Sequence, residues 1–274
     1  MKIWRDGNFV DADDARVNVF SSAAMWGRGL YEKTRIYQGW PFRLADHIAR
    51  LEKSAKALGM KLPKSFELLA DGIASLIAEN RVEDGLVFIL LVGDIDDTKV
   101  FARIEPLLDD SDELAKRGVR AMVAIGPLPI ANHQTCQRWV KELHMAKARA
   151  KKLDEVVIIS PEGIVLEALE AAVCFIKNDV VYLPSNDLPI LSRVSVETFV
   201  AAARRIGLET KRLIFYPIDL YKADEALLVS SVREVLPLVE LEGKPVGGGT
   251  KGSMYQRLAM AYRDLVFEEI KLRG

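Results

Sequence analysis

Cysteine is nearly absent from this chain: Cys136 and Cys174 are the only two in 274 residues. Two cysteines do not make a disulfide framework at this size, so a reducing, cytoplasmic compartment is the expectation. Long apolar runs are missing as well, and none approaches the roughly 20 residues of a membrane span. The opening MKIWRDGNFV is polar and lacks the apolar centre of a secretory signal. Nor is there an excess of either charge, with 38 Lys and Arg against 39 Asp and Glu. Nucleic acids and anionic membranes recruit proteins through positive excess, so neither is an expected partner. Phosphate-loop and nucleophile-elbow motifs do not occur, and Gly247-Gly248-Gly249 does not fit the dinucleotide fingerprint. His133, Cys136 and His144 match no zinc spacing, so no metal is expected. What the chain does have is apolar residues, half of the total, enough for one large domain or two modest ones.

Turn signals and apolar periodicity set out the elements. Asp6-Gly7 separates KIWR from NFVD as a hairpin turn would. Leu30 to Tyr37 reads as a strand that Gln38-Gly39 turns back. Leu44, Ile48, Leu51, Ala55 and Leu58 recur at helical spacing, and Gly59 ends the run. A second helix fits Ser65 to Glu79, and strands fit Leu86 to Val92 and Val100 to Ile104. Leu107 to Lys116 is acidic and weakly patterned, the expected link between domains 1–116 and 117–274. After it come strand-like VRAMVAI, EVVIIS, VCFIKNDVVYL with a turn at Asn178-Asp179, EALLVSS, and VLPLVELEGKPV with a turn at Glu242-Gly243. Helices fit Ser192 to Ile206 and Lys251 to about Ile270. Strands and helices mix without strict alternation, which predicts an α+β fold: a smaller N-terminal α+β domain and a larger β-rich C-terminal domain with flanking helices.

Several residues could carry chemistry, each with a plainer reading beside it. His47 and Arg50 are three apart on one helix and share a face. That arrangement suits a guanidinium clamping a phosphate or carboxylate, and equally a solvated helix flank. Pro189-Ile190-Leu191-Ser192 precedes a helix, where free N–H groups and the positive dipole end seat anions, though serine is also an ordinary cap. Ser230-Ser231 closes a strand with paired hydroxyls, as a phosphate wall or as turn chemistry. Glu167 ends a strand; solvent is its default environment, and a place beneath a protonated ring nitrogen is the functional one. Lys141, flanked by Trp139-Val140 and Leu143, reads as a lysine in an apolar strand. It either snorkels to water or, desolvated, becomes a nucleophilic amine. Lys147, Lys151 and Lys152 read as a solvated helix face.

Six segments in order resemble the class IV aminotransferases, which include D-amino-acid transaminases, branched-chain aminotransferases and aminodeoxychorismate lyases. They are IWRDGNFV, WGRGLYEKTRIYQGWPFRLADHIARLEKSAKALG, DEVVIISPEGIVLEALEAAVCFIKNDVVYLP, PILSRVSVETFVAAARRIG, ADEALLVSSVREVLPLVELEGKPVG and KGSMYQRLAMAYRDL. The resemblance implies a two-domain fold type IV enzyme that uses pyridoxal 5′-phosphate, and a homodimer with the site near the subunit interface. By position, Arg50 resembles the phosphate-binding arginine, and Ile190, Leu191 and Ser192 the phosphate-binding helix start. Ser230 and Ser231 resemble the second phosphate loop, and Glu167 the partner of the pyridine nitrogen. Tyr31 matches a residue lining the substrate side. Lys141 is the expected Schiff-base lysine, with Lys147 as the alternative placement.

The departures concern the lysine and the substrate. Glu142-Leu143-His144-Met145 follows Lys141 where relatives place a tyrosine, and the stretch to Glu167 is short. LLVGD lacks the arginine that follows the matching strand in D-amino-acid transaminases; Gly93 or Asp94 stands there. The substrate α-carboxylate must then be met by other cations. Tyr31, Lys33 and Arg35 alternate onto one strand face, and Arg28 stands in the preceding turn. The expected activity is transamination between an amino acid and a 2-keto acid, with D-amino acids favoured because LYEKTR carries Tyr-Glu. Branched-chain L-amino-acid transamination and aminodeoxychorismate lysis are the enzymatic alternatives. A cofactor-binding or dimerising homologue without turnover is the other.

Overall fold

The computed structural model describes residues 2–94, 97–107, 110–126, 128 and 130–272. Its contacts divide the chain into two units. The first is Met1–Leu108 with His133–Arg138; the second is Asp109–Asn132 with Trp139–Gly274.

In the first unit, β1 (Lys2–Arg5) and β2 (Asn8–Asp11) form the hairpin expected at Asp6-Gly7. Both turn residues take positive φ, 48° and 93°, which a two-residue hairpin loop demands. A short helix α1 (Ser22–Trp26) precedes β3 (Gly29–Tyr37), which turns back into β4 (Trp40–Pro41). Helices α2 (Leu44–Ala57) and α3 (Leu69–Asn80) follow, then β5 (Gly85–Gly93) and β6 (Thr98–Glu105). The sheet order is β2-β1-β6-β5-β3-β4. The second helix was expected from Ser65. Instead Lys64–Leu68 winds as a tighter 3-10 turn, which seats Phe66 among the buried residues before α3 begins.

One sheet face carries Leu30, Ile36, Val87, Ile89, Leu91, Val100 and Ala102, and packs with Leu51 and Ala55 of α2 and Leu69, Ile73 and Leu76 of α3. Residues 133–138 also belong here. Thr135 bridges Leu30, Tyr31 N–H donates to the Gln134 carbonyl at 3.0 Å, and Cys136 N–H donates to the Gly29 carbonyl at 2.9 Å. Gly29 permits this approach, because a Cβ there would stand 2.8 Å from Cys136 Sγ.

The second unit starts with α4 (Ser111–Arg117), in the stretch read as a link; Leu108 and Asp109 lie outside the described residues. Leu114 of α4 is buried in this unit's core. Then come β7 (Val119–Ile125), α5 (Trp139–Ala150), β8 (Glu155–Ile159), β9 (Val165–Ala168), β10 (Ala172–Lys177) and β11 (Val180–Pro184). The chain continues through α6 (Val194–Arg205), β12 (Glu209–Leu213), α7 (Pro217–Tyr221) and β13 (Glu225–Ser230). It closes with β14 (Glu234–Leu241), β15 (Lys244–Pro245) and α8 (Ser253–Lys271). The strands run β12-β11-β10-β13-β14-β7-β8-β9, with β15 on β14. Parallel and antiparallel pairs mix, as the irregular strand and helix order predicts.

Gly72 shows how closely the first unit is packed. A Cβ at this helical position would lie 2.2 Å from Nε1 of Trp4, a ring only 2 % exposed. Gly72→Ala gains about 1 kcal/mol of helix propensity but forces this buried ring aside, an overpacking cost of about 1–3 kcal/mol. The ring has nowhere to go, so we expect net destabilisation, read as a lower urea midpoint at unchanged slope.

Candidate active site

In the first unit the candidate residues gather on β3 and α2. Alternation along β3 sends Glu32 to the apolar face and Tyr31, Lys33 and Arg35 to the other. Glu32 is only 2 % exposed and meets α2 there. Its carboxylate accepts from Arg50 Nε at 2.8 Å and Arg50 Nη2 at 2.6 Å, and lies 2.8 Å from His47 Nδ1. Burial works to raise the Glu32 carboxyl. The hydrogen bonds and charges of His47 and Arg50 outweigh it and hold the group below its ordinary value. His47 and Arg50 are therefore no solvated flank: His47 is 1 % exposed, and Arg50 is mostly covered.

On the opposite face Tyr31 stacks on Phe88 with ring centroids 5.7 Å apart. The Lys33 ammonium lies 5.3 Å from the Phe88 centroid, and the Arg35 guanidinium 4.7 Å from that of Tyr37. Arg138 donates to the Tyr31 hydroxyl and covers its ring. These cations are oriented by π-faces, and the Lys33 ammonium also lies 3.9 Å from the Glu105 carboxylate. Arg28 is apart from this set; its Nη2 donates to the Gly59 carbonyl at 3.1 Å. Asp94, near the place of the missing arginine, accepts from Ser22 N–H at 2.8 Å.

In the second unit, Lys141 and Glu167 converge on one short segment. Lys141 lies in the first turn of α5, not in a strand. Its apolar neighbours Trp139, Val140 and Leu143 are exposed, which is why they misled as a strand pattern. Lys141 itself is partly buried, and its Nζ donates to the Leu169 carbonyl at 3.0 Å. Glu167, on β9 and 6 % exposed, does not face solvent. Arg193 Nη2 donates to its carboxylate at 2.8 Å, and the same guanidinium donates to the carbonyls of Ala168 and Glu170.

Ile190, Leu191 and Ser192 run into α6, but Arg193 takes the N-cap position that Ser192 was expected to hold. Arg193 Nε, Ser195 Oγ and Thr198 Oγ1 are buried at this helix start without a partner among the described residues. Buried polar atoms of that kind call for an acceptor. Ser230 ends β13, its Oγ accepting from Arg233 N–H at 3.0 Å; Ser231 is in the turn that follows. Lys147 is exposed further along α5. His133 and Cys136 belong to the first unit, with His133 Nδ1 2.9 Å from Ser54 Oγ, and His144 to the second.

Arg50 thus stands in the first unit, and Lys141, Glu167, Ile190 to Ser192 and Ser230-Ser231 in the second. Sequence reasoning missed Glu32, Arg138 and Arg193. A signal existed for two: Glu32 is a charge on the apolar face of an alternating strand, and Arg193 directly follows Ser192. Nothing local in the sequence brings Arg138 to Tyr31.

The model of the family described as amino-transferase class IV matches residues 29–241, and the chain belongs to that family. It is 26 % identical to a D-alanine aminotransferase of Listeria monocytogenes, over 94 % of this chain and 93 % of that one. It is 25 % identical to an aminodeoxychorismate lyase of Bacillus subtilis, over 99 % and 97 %. The solved branched-chain aminotransferase of Thermoproteus uzoniensis with norvaline matches with a TM-score of 0.88 and 26 % identity, over 97 % and 94 %.

Glu155 is a fourth residue that sequence reasoning passed over. Burial pushes its carboxyl up to about 7, helped by Glu170 and opposed by the Val156 N–H and by Arg233 and Arg193. In the unfolded chain the same group loses its proton near 4.5. Its favourable contribution is whole below that pH and drains away as pH rises to about 7. Glu155→Gln should therefore gain stability over the parent between pH 5 and pH 8, on the order of 3 kcal/mol at the alkaline end. Urea midpoints across that range measure it; parallel curves would show that Glu155 does not titrate there.

Proposed function

We propose that this class IV aminotransferase carries out pyridoxal-phosphate-dependent transamination between an amino acid and a 2-keto acid, with Lys141 as the cofactor-holding lysine. One observation carries the reading: the Lys141 amine bonds the Leu169 carbonyl, two residues beyond the buried Glu167 whose carboxylate Arg193 holds. The donor set fits an anionic, oxygen-rich group. Arg193 Nε, Ser195 Oγ and Thr198 Oγ1, without a hydrogen-bond partner among the described residues, lie buried near the start of α6, where the helix dipole also favours negative charge.

When bound, pyridoxal 5′-phosphate supplies an electron-withdrawing ring that takes up and returns the amino group. Lys141 Nζ would hold it covalently at rest and, once released, would move the substrate α-proton to the C4′ carbon of the cofactor. Glu167 would keep the ring nitrogen protonated, with Arg193 fixing the carboxylate. Ile190, Leu191 and Ser192 would seat the phosphate at the helix start, with Ser230, Ser231 and Arg50 completing its donors. Tyr31, Lys33 and Arg35 would face the substrate carboxylate, and Arg28 would add a further cation.

For the donor we propose D-amino acids, on the ground of Tyr31 followed by Glu32 and of the cations on the Tyr31 face. The branched-chain reading has the overall likeness to the Thermoproteus uzoniensis enzyme in its favour. A homodimer is the proposed assembly. Val17, Val19, Phe20, Met25 and Trp26 expose large apolar surface within ten residues, and patches of that kind seek a partner. A cytoplasmic setting suits the free Cys136 and Cys174. No helix among the described residues is long and apolar enough to cross a membrane.

Lys141→Ala should abolish the visible absorbance of the purified protein and reduce transamination by about four orders of magnitude or more, as loss of a covalent general base does. Lys147→Ala should change neither; full turnover by Lys141→Ala would refute the lysine assignment. A panel of D-alanine, D-glutamate and L-leucine with one keto acceptor separates the donor readings, and pyruvate release from aminodeoxychorismate would mark a lyase. Sedimentation should give twice the chain mass, falling to one chain in Phe20→Asp/Trp26→Asp; a monomeric parent would overturn the dimer.

A further inference from the structure

Arg50 is the one proposed phosphate ligand in the first unit, and the structure shows what holds it. Both its Nε and its Nη2 are taken up by Glu32, at 2.8 and 2.6 Å. A two-point fork of this kind fixes the plane of the guanidinium as well as its position. Glu32 has no freedom of its own to trade. It is 2 % exposed, its backbone is inside a strand paired along β5, and its carboxylate is met a second time by His47, three residues before Arg50 on α2. Gln134 Nε2 lies 3.5 Å from the same carboxylate, so residues 133–138 close over it. The chain enters α5, which carries Lys141, one residue after that segment ends.

We propose that Glu32 is a positioning residue that presents Arg50 to phosphate and so sets the phosphate affinity of this chain; the proposal rests on the reading of Arg50 above. Two effects of Glu32 oppose each other. Its negative charge weakens the pull of Arg50 on any anion, while its fork removes the rotamer freedom that a long side chain otherwise loses on binding. Charge alone predicts that a neutral residue at 32 strengthens phosphate binding. Positioning predicts that it weakens it. The geometry favours positioning. The carboxylate is buried and shared with His47, and its fork holds both Nε and Nη2 of Arg50 in one plane.

The test compares binding of pyridoxal 5′-phosphate with binding of pyridoxal, which lacks the phosphate, to the full chain freed of cofactor, followed by absorbance and protein fluorescence. Glu32→Gln should lower the ratio of the two affinities by about tenfold or more, the scale of one charge-assisted contact, with pyridoxal affinity unchanged. A merely structural role would lower both affinities together and leave the ratio alone. A ratio that stays level or rises overturns the proposal. Should Glu32→Gln fail to fold, Glu32→Asp keeps the charge but draws the carboxylate back by one methylene. It must lose the same preference, and a parental ratio there overturns the proposal too. Arg50→Ala separates this from the underlying reading: a parental ratio in that variant removes Arg50 as a phosphate ligand, and Glu32 with it. Loss of preference in Arg50→Ala but not in either Glu32 variant sinks the Glu32 role alone.

Discussion

A carboxylate on the apolar face of a sheet cannot stand alone, and Glu32 is the place where this chain meets that constraint. Its neighbours along the face are Leu30, Thr34 and Ile36, all buried. Desolvating an unpaired carboxylate there would cost several kcal/mol, so cations must come to it. One turn of α2 supplies the cation Arg50 and, three residues before it, the imidazole of His47. That pairing fixes the rotation of α2 against β3 beyond what its apolar stripe of Leu51 and Ala55 does. Hydrophobic contacts tolerate sliding; a forked ion pair with 2.6 and 2.8 Å arms does not.

The second unit repeats the solution, again with a carboxylate on a strand and a guanidinium from a helix. Glu167 lies on β9, and Arg193 reaches it from the start of α6. Here the guanidinium also takes the carbonyls of Ala168 and Glu170, so it ties a strand end, a turn and a helix start into one piece. Lys141 adds a third element through the Leu169 carbonyl. A strand-borne carboxylate locked by an arginine is a rigid acceptor, which is what a ring-nitrogen partner requires. Glu155 lies within the influence of the same Arg193 but bonds no side chain among the described residues, and burial raises its carboxyl.

The elements were legible wherever a local rule governed them. Asp6-Gly7, Gln38-Gly39, Asn178-Asp179 and Glu242-Gly243 each turn a hairpin, because the two-residue loop asks for positive φ and these residues accept it. The α2 stripe was visible because its partners are all apolar. Legibility failed where one residue's setting depends on distant chain. Trp139, Val140 and Leu143 look like core, but they face outward from α5, and so Lys141 was read in a strand. His47 looked like flank because its partner is fifteen residues away on another element. The insertion of 133–138 beside β3 follows from no pattern at all, since a single bridge and two backbone bonds leave no periodicity behind.

The two faces of β3 explain why the cofactor class was easier to read than the substrate. On the inner face Glu32 and Arg50 satisfy one another, and a change in either takes a two-point fork from a buried charge. Such residues are bound to the fold itself, and they keep a shared order of segments intact. On the outer face Lys33 and Arg35 rest on the rings of Phe88 and Tyr37. A cation held by a π-face contributes about 1 kcal/mol, less than a buried forked ion pair, although Lys33 is also paired with Glu105 and the Nε of Arg35 is buried. The same alternation that buries Glu32 against α2 turns Tyr31, Lys33 and Arg35 to the opposite face, where Tyr31 is covered by Phe88 and Arg138 and the two cations are only partly covered.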